Sequence, residues 1–174
     1  MAHAAARPRA LAACAALALL AAAGCRSHDA SRELAVSDVQ TYWIVDSPQA
    51  GENYVAPAVR FRLKNVSGET LGSVQARARF PAPDQGEEPW GSIQEQVSTW
   101  QRPLLAGKEA VVTVRSAGRY HAKAEPEAIL HSPAFKDPRV EIYVRIGSSN
   151  WAKLGEGAVE RRIGAPGALD LAKP

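Results

Sequence analysis

Cysteine is almost missing from this chain of 174 residues, which has only Cys14 and Cys25, both near the N-terminus. Beyond residue 25 no disulfide, sulfur-ligated metal or thiol nucleophile can form. Long apolar runs are scarce too. The longest, Ala10 to Ala23, falls short of the roughly 20 residues that a membrane-spanning helix needs. Charge of one sign is also lacking, with 21 basic residues against 18 acidic ones. The motifs G-x-S-x-G and H-E-x-x-H do not occur, nor does a phosphate-cradling glycine loop. These absences argue against an enzyme and imply no resident cofactor.

What the N-terminus does contain is ordered. Met1 to Arg9 carries Arg7 and Arg9 and no acid, Ala10 to Ala23 is apolar, and Ala22-Ala23-Gly24 leads into Cys25. The apolar stretch has the length of a signal-peptide core, roughly 7–15 residues. An ordinary secretory signal cut near Ala21 to Ala23 would look similar. The stronger reading is that the segment resembles the lipobox of bacterial lipoproteins. That resemblance implies a signal peptide over residues 1–24, cleavage before Cys25, and acyl chains of the palmitate kind attached to Cys25. Each buried methylene contributes about 0.8 kcal/mol, so two or more chains anchor stably. Residues 25–33 are then the lipidated N-terminus and a polar tether. Arg26 stands where inner-membrane lipoproteins of enteric bacteria carry Asp. By that resemblance the address is the cell envelope, with the outer membrane facing the periplasm favoured over the inner.

Cleavage would leave 150 residues, enough for one core. Arg7 and Arg9 would depart with the signal, so 19 basic residues face 18 acids and the net charge becomes +1. Charge therefore gives no case for nucleic acid. The rest of the chain alternates in period two between turn signals. Val59, Phe61 and Leu63 alternate with Arg60, Arg62 and Lys64. Val74, Ala76, Ala78 and Phe80 alternate with Gln75, Arg77 and Arg79. Val140 to Ile146 does the same, while Trp90 to Gln101 alternates imperfectly and reads as an edge strand. Pro126 to Leu130 reads as one helical turn. The expected fold is all-β: an immunoglobulin-like antiparallel β-sandwich of about seven strands over residues 34–163, followed by a tail over 164–174.

A second resemblance rests on Phe61-Arg-Leu-Lys-Asn-Val-Ser-Gly-Glu-Thr-Leu71, Val74 to Phe80, and Leu104-Leu-Ala-Gly-Lys-Glu-Ala-Val111. The order of strand, Asn-x-Ser turn, strand and Leu-x-x-Gly turn resembles small β-sandwich modules of the FxLYD type. It is also similar to the YcfL family of periplasmic lipoproteins. Both imply a fold and a location, and neither implies an activity.

Two sets of residues are candidates for binding. Arg60, Arg62, Lys64, Arg77 and Arg79 would share one sheet surface if their strands formed a hairpin around Ser67-Gly68, and that surface would suit an acidic partner. The plainer expectation is a solvated outer face balanced by acids such as Glu141. Trp90 and Trp100 flank the edge strand and could stack on sugars or anchor a protein, although burial is the commoner fate of tryptophan. The remaining histidines, His28, His121 and His131, have no metal-ligand spacing, and no metal site is expected. The leading expectation is a membrane-held, non-enzymatic module that contacts an envelope protein. The alternative is a module that binds cell-wall glycan or another envelope polymer.

Overall fold

The alternation of apolar and charged residues builds two stacked antiparallel sheets, and the charges point outward from both. The computed structural model describes residues 27–81, 90 and 93–164, with Ser47 described by its backbone alone. The signal segment, Cys25, the loop at 82–89 and the tail beyond Gly164 lie outside the described residues. The strands are β1 (Leu34–Gln49), β2 (Glu52–Asn65), β3 (Val74–Arg79), β4 (Gln94–Ser98), β5 (Glu109–Arg115), β6 (Tyr120–Ala122), β7 (Arg139–Ile146) and β8 (Ala152–Ala158). Among the described residues two short helices accompany them, α1 (Ala30–Glu33) and α2 (Pro126–Leu130). One sheet runs β1-β2-β5, with β6 also on β2; the other runs β4-β3-β7-β8. In immunoglobulin terms these are strands A-B-E facing C′-C-F-G, which bears out the expected sandwich class. β6 is the strand that the sequence did not signal.

Consecutive strands β2 and β3 lie in different sheets, which corrects the expected hairpin around Ser67-Gly68. The chain leaves one layer at Asn65 and enters the other at Val74. Val59, Phe61 and Leu63 thus meet Val74, Ala76, Ala78, Val140, Ile142 and Val144 in a single core. Trp43 sits in that core fully buried, edge-on to Phe135 at 4.9 Å.

β1 is the longest strand among the described residues and an irregular one. A bulge between Ser37 and Gln40 places Asp38 at φ 51 and shifts the register against β2 by one residue. Because side chains alternate strictly along a strand, one extra residue swaps the two faces. Leu34 and Val36 point inward before the bulge and Trp43 after it. A two-residue turn joins β1 to β2. Ala50 and Gly51 both have positive φ, 53 and 79, and the turn closes the Gln49–Glu52 pair as mirror-image hairpin turns do.

The tether expectation also needs revision at its far end. Asp29 caps α1 by accepting from Ser31 N–H, and Glu33 reaches back to accept from Asp29 N–H. Ala30 is thereby packed into the core, so the folded domain begins before Leu34. At the other terminus, Arg162 and Gly164 exchange backbone hydrogen bonds with Trp43, laying the segment parallel to β1.

Asn65 joins the loops at the α1 end of the sandwich. It is fully buried, and its amide donates to the carbonyls of Glu69 (2.7 Å) and Leu104 (2.9 Å). Its side-chain oxygen accepts from Ser67 N–H and Ser67 Oγ. Its backbone exchanges bonds with Lys108 and Gly107. The Asn-Val-Ser-Gly turn is therefore an Asx turn whose amide also clamps the β4–β5 loop. Asn65→Ala should lower unfolding stability in urea by about 2–3 kcal/mol, since several buried groups lose partners at once. Asn65→Asp, which keeps the acceptor and loses both donors, should lose at least as much at neutral pH.

Candidate interaction surfaces

The five cations do not form one surface. Arg60, Arg62 and Lys64 stand on the outer face of the first sheet, and Arg77 and Arg79 on the outer face of the second. The core separates the two groups, so the single acidic-partner face expected from the hairpin does not exist. Local charge balance argues the same way. Arg62 pairs with Asp38 at 2.8 Å and with Glu109 at 3.7 Å, and Lys64 reaches Glu109 at 3.8 Å. Arg79 reaches Glu141 at 3.8 Å, and Arg60 is not free either.

Arg77 has a different environment. Its guanidinium lies over the rings of Trp151 at 4.4 Å and Tyr143 at 5.3 Å, and Arg145 covers Trp151 at 4.7 Å. Arg145 also donates to Gln75 at 2.6 Å. Cations stacked on aromatic faces are attracted by the ring quadrupole. Here the stack knits β3, β7 and the turn before β8 into one ladder, within which Arg77 Nε is buried without a hydrogen-bond partner. Beside it, Lys153 donates to Glu141 (2.8 Å) and Glu156 (2.6 Å). Those bonds hold both carboxyls below their ordinary range and raise the Lys153 ammonium.

The two flanking tryptophans have opposite fates. Trp90 is buried, bridges Phe80, stacks edge-on with Tyr120 at 4.6 Å and lies against Gly118, where a Cβ would collide with its ring. It is a core residue and drops out as a contact residue. Trp100 is 80% exposed. It occupies the tip of a two-residue turn closed by reciprocal bonds between Thr99 and Arg102. One face of its ring rests on Gly72, where any Cβ would overlap the indole. The other face meets solvent, which makes Trp100 a backed platform.

What fixes that platform is the loop pair beneath it. Leu71 and Leu104 exchange backbone bonds of 3.0 and 2.9 Å, and buried Ser98 Oγ donates to the Leu71 carbonyl. The sequence could have signalled this through Gly72, a glycine just after a turn, but nothing in it pairs residue 72 with residue 100.

The histidines stand apart from one another in chemistry. His28 bonds Glu33, His121 bonds Glu52 at 2.8 Å while stacking on Tyr54, and His131 follows the last turn of α2. Among the described residues no group of three metal-ligating side chains converges.

Among the described residues β4 pairs only with β3, and β5 pairs on one side with β2, so each presents an edge. A shallow groove of about 140 Å³ lies between them, lined by Glu95, Val97, Ala110, Val111 and Thr113 among others. Val111 on its rim is 44% exposed.

No protein-family model and no curated protein matches the chain. Among solved structures it is similar to part of β-glucuronidase 2 of Bacteroides uniformis, in a calcium-binding mutant, with 16% identity and a TM-score of 0.40. That match covers 74% of this chain but only 13% of the glucuronidase. A complex of the same enzyme with cyclophellitol-6-carboxylate aziridine gives a TM-score of 0.39 over 12% of its length. A Northeast Structural Genomics Consortium target, SoR45, is similar over 84% of this chain and 97% of its own, at 10% identity and a TM-score of 0.39.

The Lys153 cluster sets an acid-side prediction. Glu141 and Glu156 have lowered folded-state values, so their stabilisation is present above the ordinary carboxylate value of about 4.5 and fades as pH falls through the lowered ones. Lys153→Met should therefore be less stable than the native chain at pH 7, and the gap should narrow in acid. Urea midpoints at both pH values measure it.

Proposed function

We propose that the chain is a lipid-anchored envelope protein whose sandwich is a non-enzymatic interaction module. The observation that carries this reading is the position of Cys25. It is the only thiol that would survive signal cleavage, and it precedes the first turn of the fold, Ala30, by five residues. A lipid there holds the domain at a membrane surface and uses no residue of the core. Arg26 favours the outer membrane, facing the periplasm.

The partner on this reading is another envelope protein, and the open edges of β4 and β5 supply the contact. Unpaired strand edges accept an added strand through main-chain hydrogen bonds, with neighbouring pockets reading side chains. The exposed valine at position 111 and the groove beside it favour that mode. The glycan reading has weaker support, since Trp90 is buried and Trp100 alone offers an open ring.

Two measurements test this. Cys25→Ser should abolish incorporation of an acyl-chain label and release the protein from membranes, and retention of the label would sink the anchor. A photo-crosslinking residue at Val111 should capture one envelope protein in intact cells, whereas the same group at exposed Lys136 should not. Recovery of the chain alone from both positions would sink the edge contact.

A further inference from the structure

Exposed apolar side chains are distributed unevenly over the molecule. Among the described residues the large exposed hydrophobics are Val39, Val45, Val66, Trp100, Leu105 and Val111. Val39, Val45 and Val111 lie on strands. Val66, Trp100 and Leu105 lie in the β2–β3 and β4–β5 loops, at 51%, 80% and 49% exposure. The described loop residues at the opposite end carry none.

The end that carries these three is the end from which the N-terminus leaves. Leu34 opens β1 opposite Asn65, the last residue of β2, and Val66 N–H donates to the Glu33 carbonyl. Gly107 N–H donates to the Asn65 carbonyl and Lys108 N–H to that of Leu105, which places Leu105 beside the same corner. The Leu71–Leu104 bonds and Gly72 then carry the connection across to Trp100. Ala30 lies five positions after Cys25, and an extended chain covers at most about 18 Å in that distance. A lipid on Cys25 would thus keep this end within reach of the bilayer, with Trp100, Leu105 and Val66 on the side that faces it.

The geometry points to a lipid surface as the occupant of this end: Trp100, flanked by Leu105 and Val66, seats the anchored domain in the headgroup region. The inference rests on the lipidated Cys25 of the proposed function. Indole suits that location because it joins a large apolar body to one N–H donor, and tryptophan is enriched at membrane–water boundaries. A ring pinned on a glycine enters with little conformational entropy left to lose. Charge contributes little. The described residues of this end hold Arg32, Lys64, Arg102, Lys108 and Arg145 against Asp29, Glu33, Glu69 and Glu109, an excess of one cation. Seating is therefore driven by apolar insertion and does not depend on anionic lipid.

The test uses the full chain made in a bacterial host, purified from its membranes and reconstituted into phosphatidylcholine vesicles whose acyl chains are brominated near the headgroup. The mass of the N-terminal peptide reads Cys25 acylation separately, and an unmodified Cys25 overturns both the anchor and the seating. With acylated protein, bromine should quench tryptophan emission, Trp100→Phe should lose at least half of that quenching, and Trp151→Phe should keep most of it. Quenching should be unchanged between low and high salt. Absence of quenching in acylated native protein, or equal quenching in Trp100→Phe, overturns the seating and leaves the anchor standing. Three other outcomes also overturn it: quenching that vanishes at high salt, quenching that needs a high protein-to-lipid ratio and so reports a second copy, and quenching relieved by soluble cell-wall fragments. Circular dichroism of Trp100→Phe should match the native protein, because the ring is exposed.

Discussion

One buried amide holds the ends of the two sheets in register. Asn65 closes β2, turns the chain toward the other layer and binds the β4–β5 loop through the Leu104 carbonyl. A buried side-chain amide with four partners is stabilising because every one of its groups is satisfied, and it becomes costly once any partner is removed. The constraint extends outward from there. The Leu71–Leu104 pair, the Ser98 hydroxyl and the Thr99–Arg102 turn all depend on the two loops being held together. Trp100 is presented to solvent only because that scaffold places Gly72 beneath it.

With the loops fixed, the remaining surfaces follow from charge balance. Apart from the buried Tyr42, Ile44 and Ala58 cluster on β1 and β2, the outer faces are largely polar, as the solvated side of an antiparallel sheet is. On the first sheet the basic residues of β2 meet Asp38, which the β1 bulge brings forward, and Glu109 of β5. On the second, Arg77 and Arg145 enclose Trp151, and Lys153 bridges two carboxylates. The ion pairs cancel the charges of their members, whereas Arg77 and Arg145 are held by stacking and keep theirs. Among the described residues two apolar features stand open: an indole platform at the α1 end and a valine beside two strand edges.

Much of the fold was legible in the sequence and much of the surface was not. Alternation at Val59 to Lys64 and at Val140 to Ile146 identified strands because each has one wet face and one dry face. The Asn-Val-Ser-Gly turn was legible for its local chemistry, but not for its second role, since the Leu104 carbonyl is 39 residues away. The assumed β2–β3 hairpin failed for a related reason. A turn signal shows that the chain reverses, but not whether it returns to the same sheet or crosses to the other. That difference divided the five cations between two faces. The identical-looking Trp90 and Trp100 could not be separated by pattern either. Their fates were decided by glycines distant in sequence, Gly118 against the buried ring and Gly72 under the exposed one. α1 was missed because four residues show no helical period, although Asp29 and Glu33 stood in capping positions.

The loops at the α1 end form one rigid unit with the core. Amide hydrogen exchange at Leu71 and Leu104 tests this most directly, because each N–H is committed to the carbonyl of the other. Both amides should be protected to the level of the β2 and β3 strands, as expected for residues that open only with the whole fold. In Asn65→Ala both should lose protection together while β7 retains its own. Exchange of Leu71 and Leu104 at ordinary loop rates in the native protein would contradict the account.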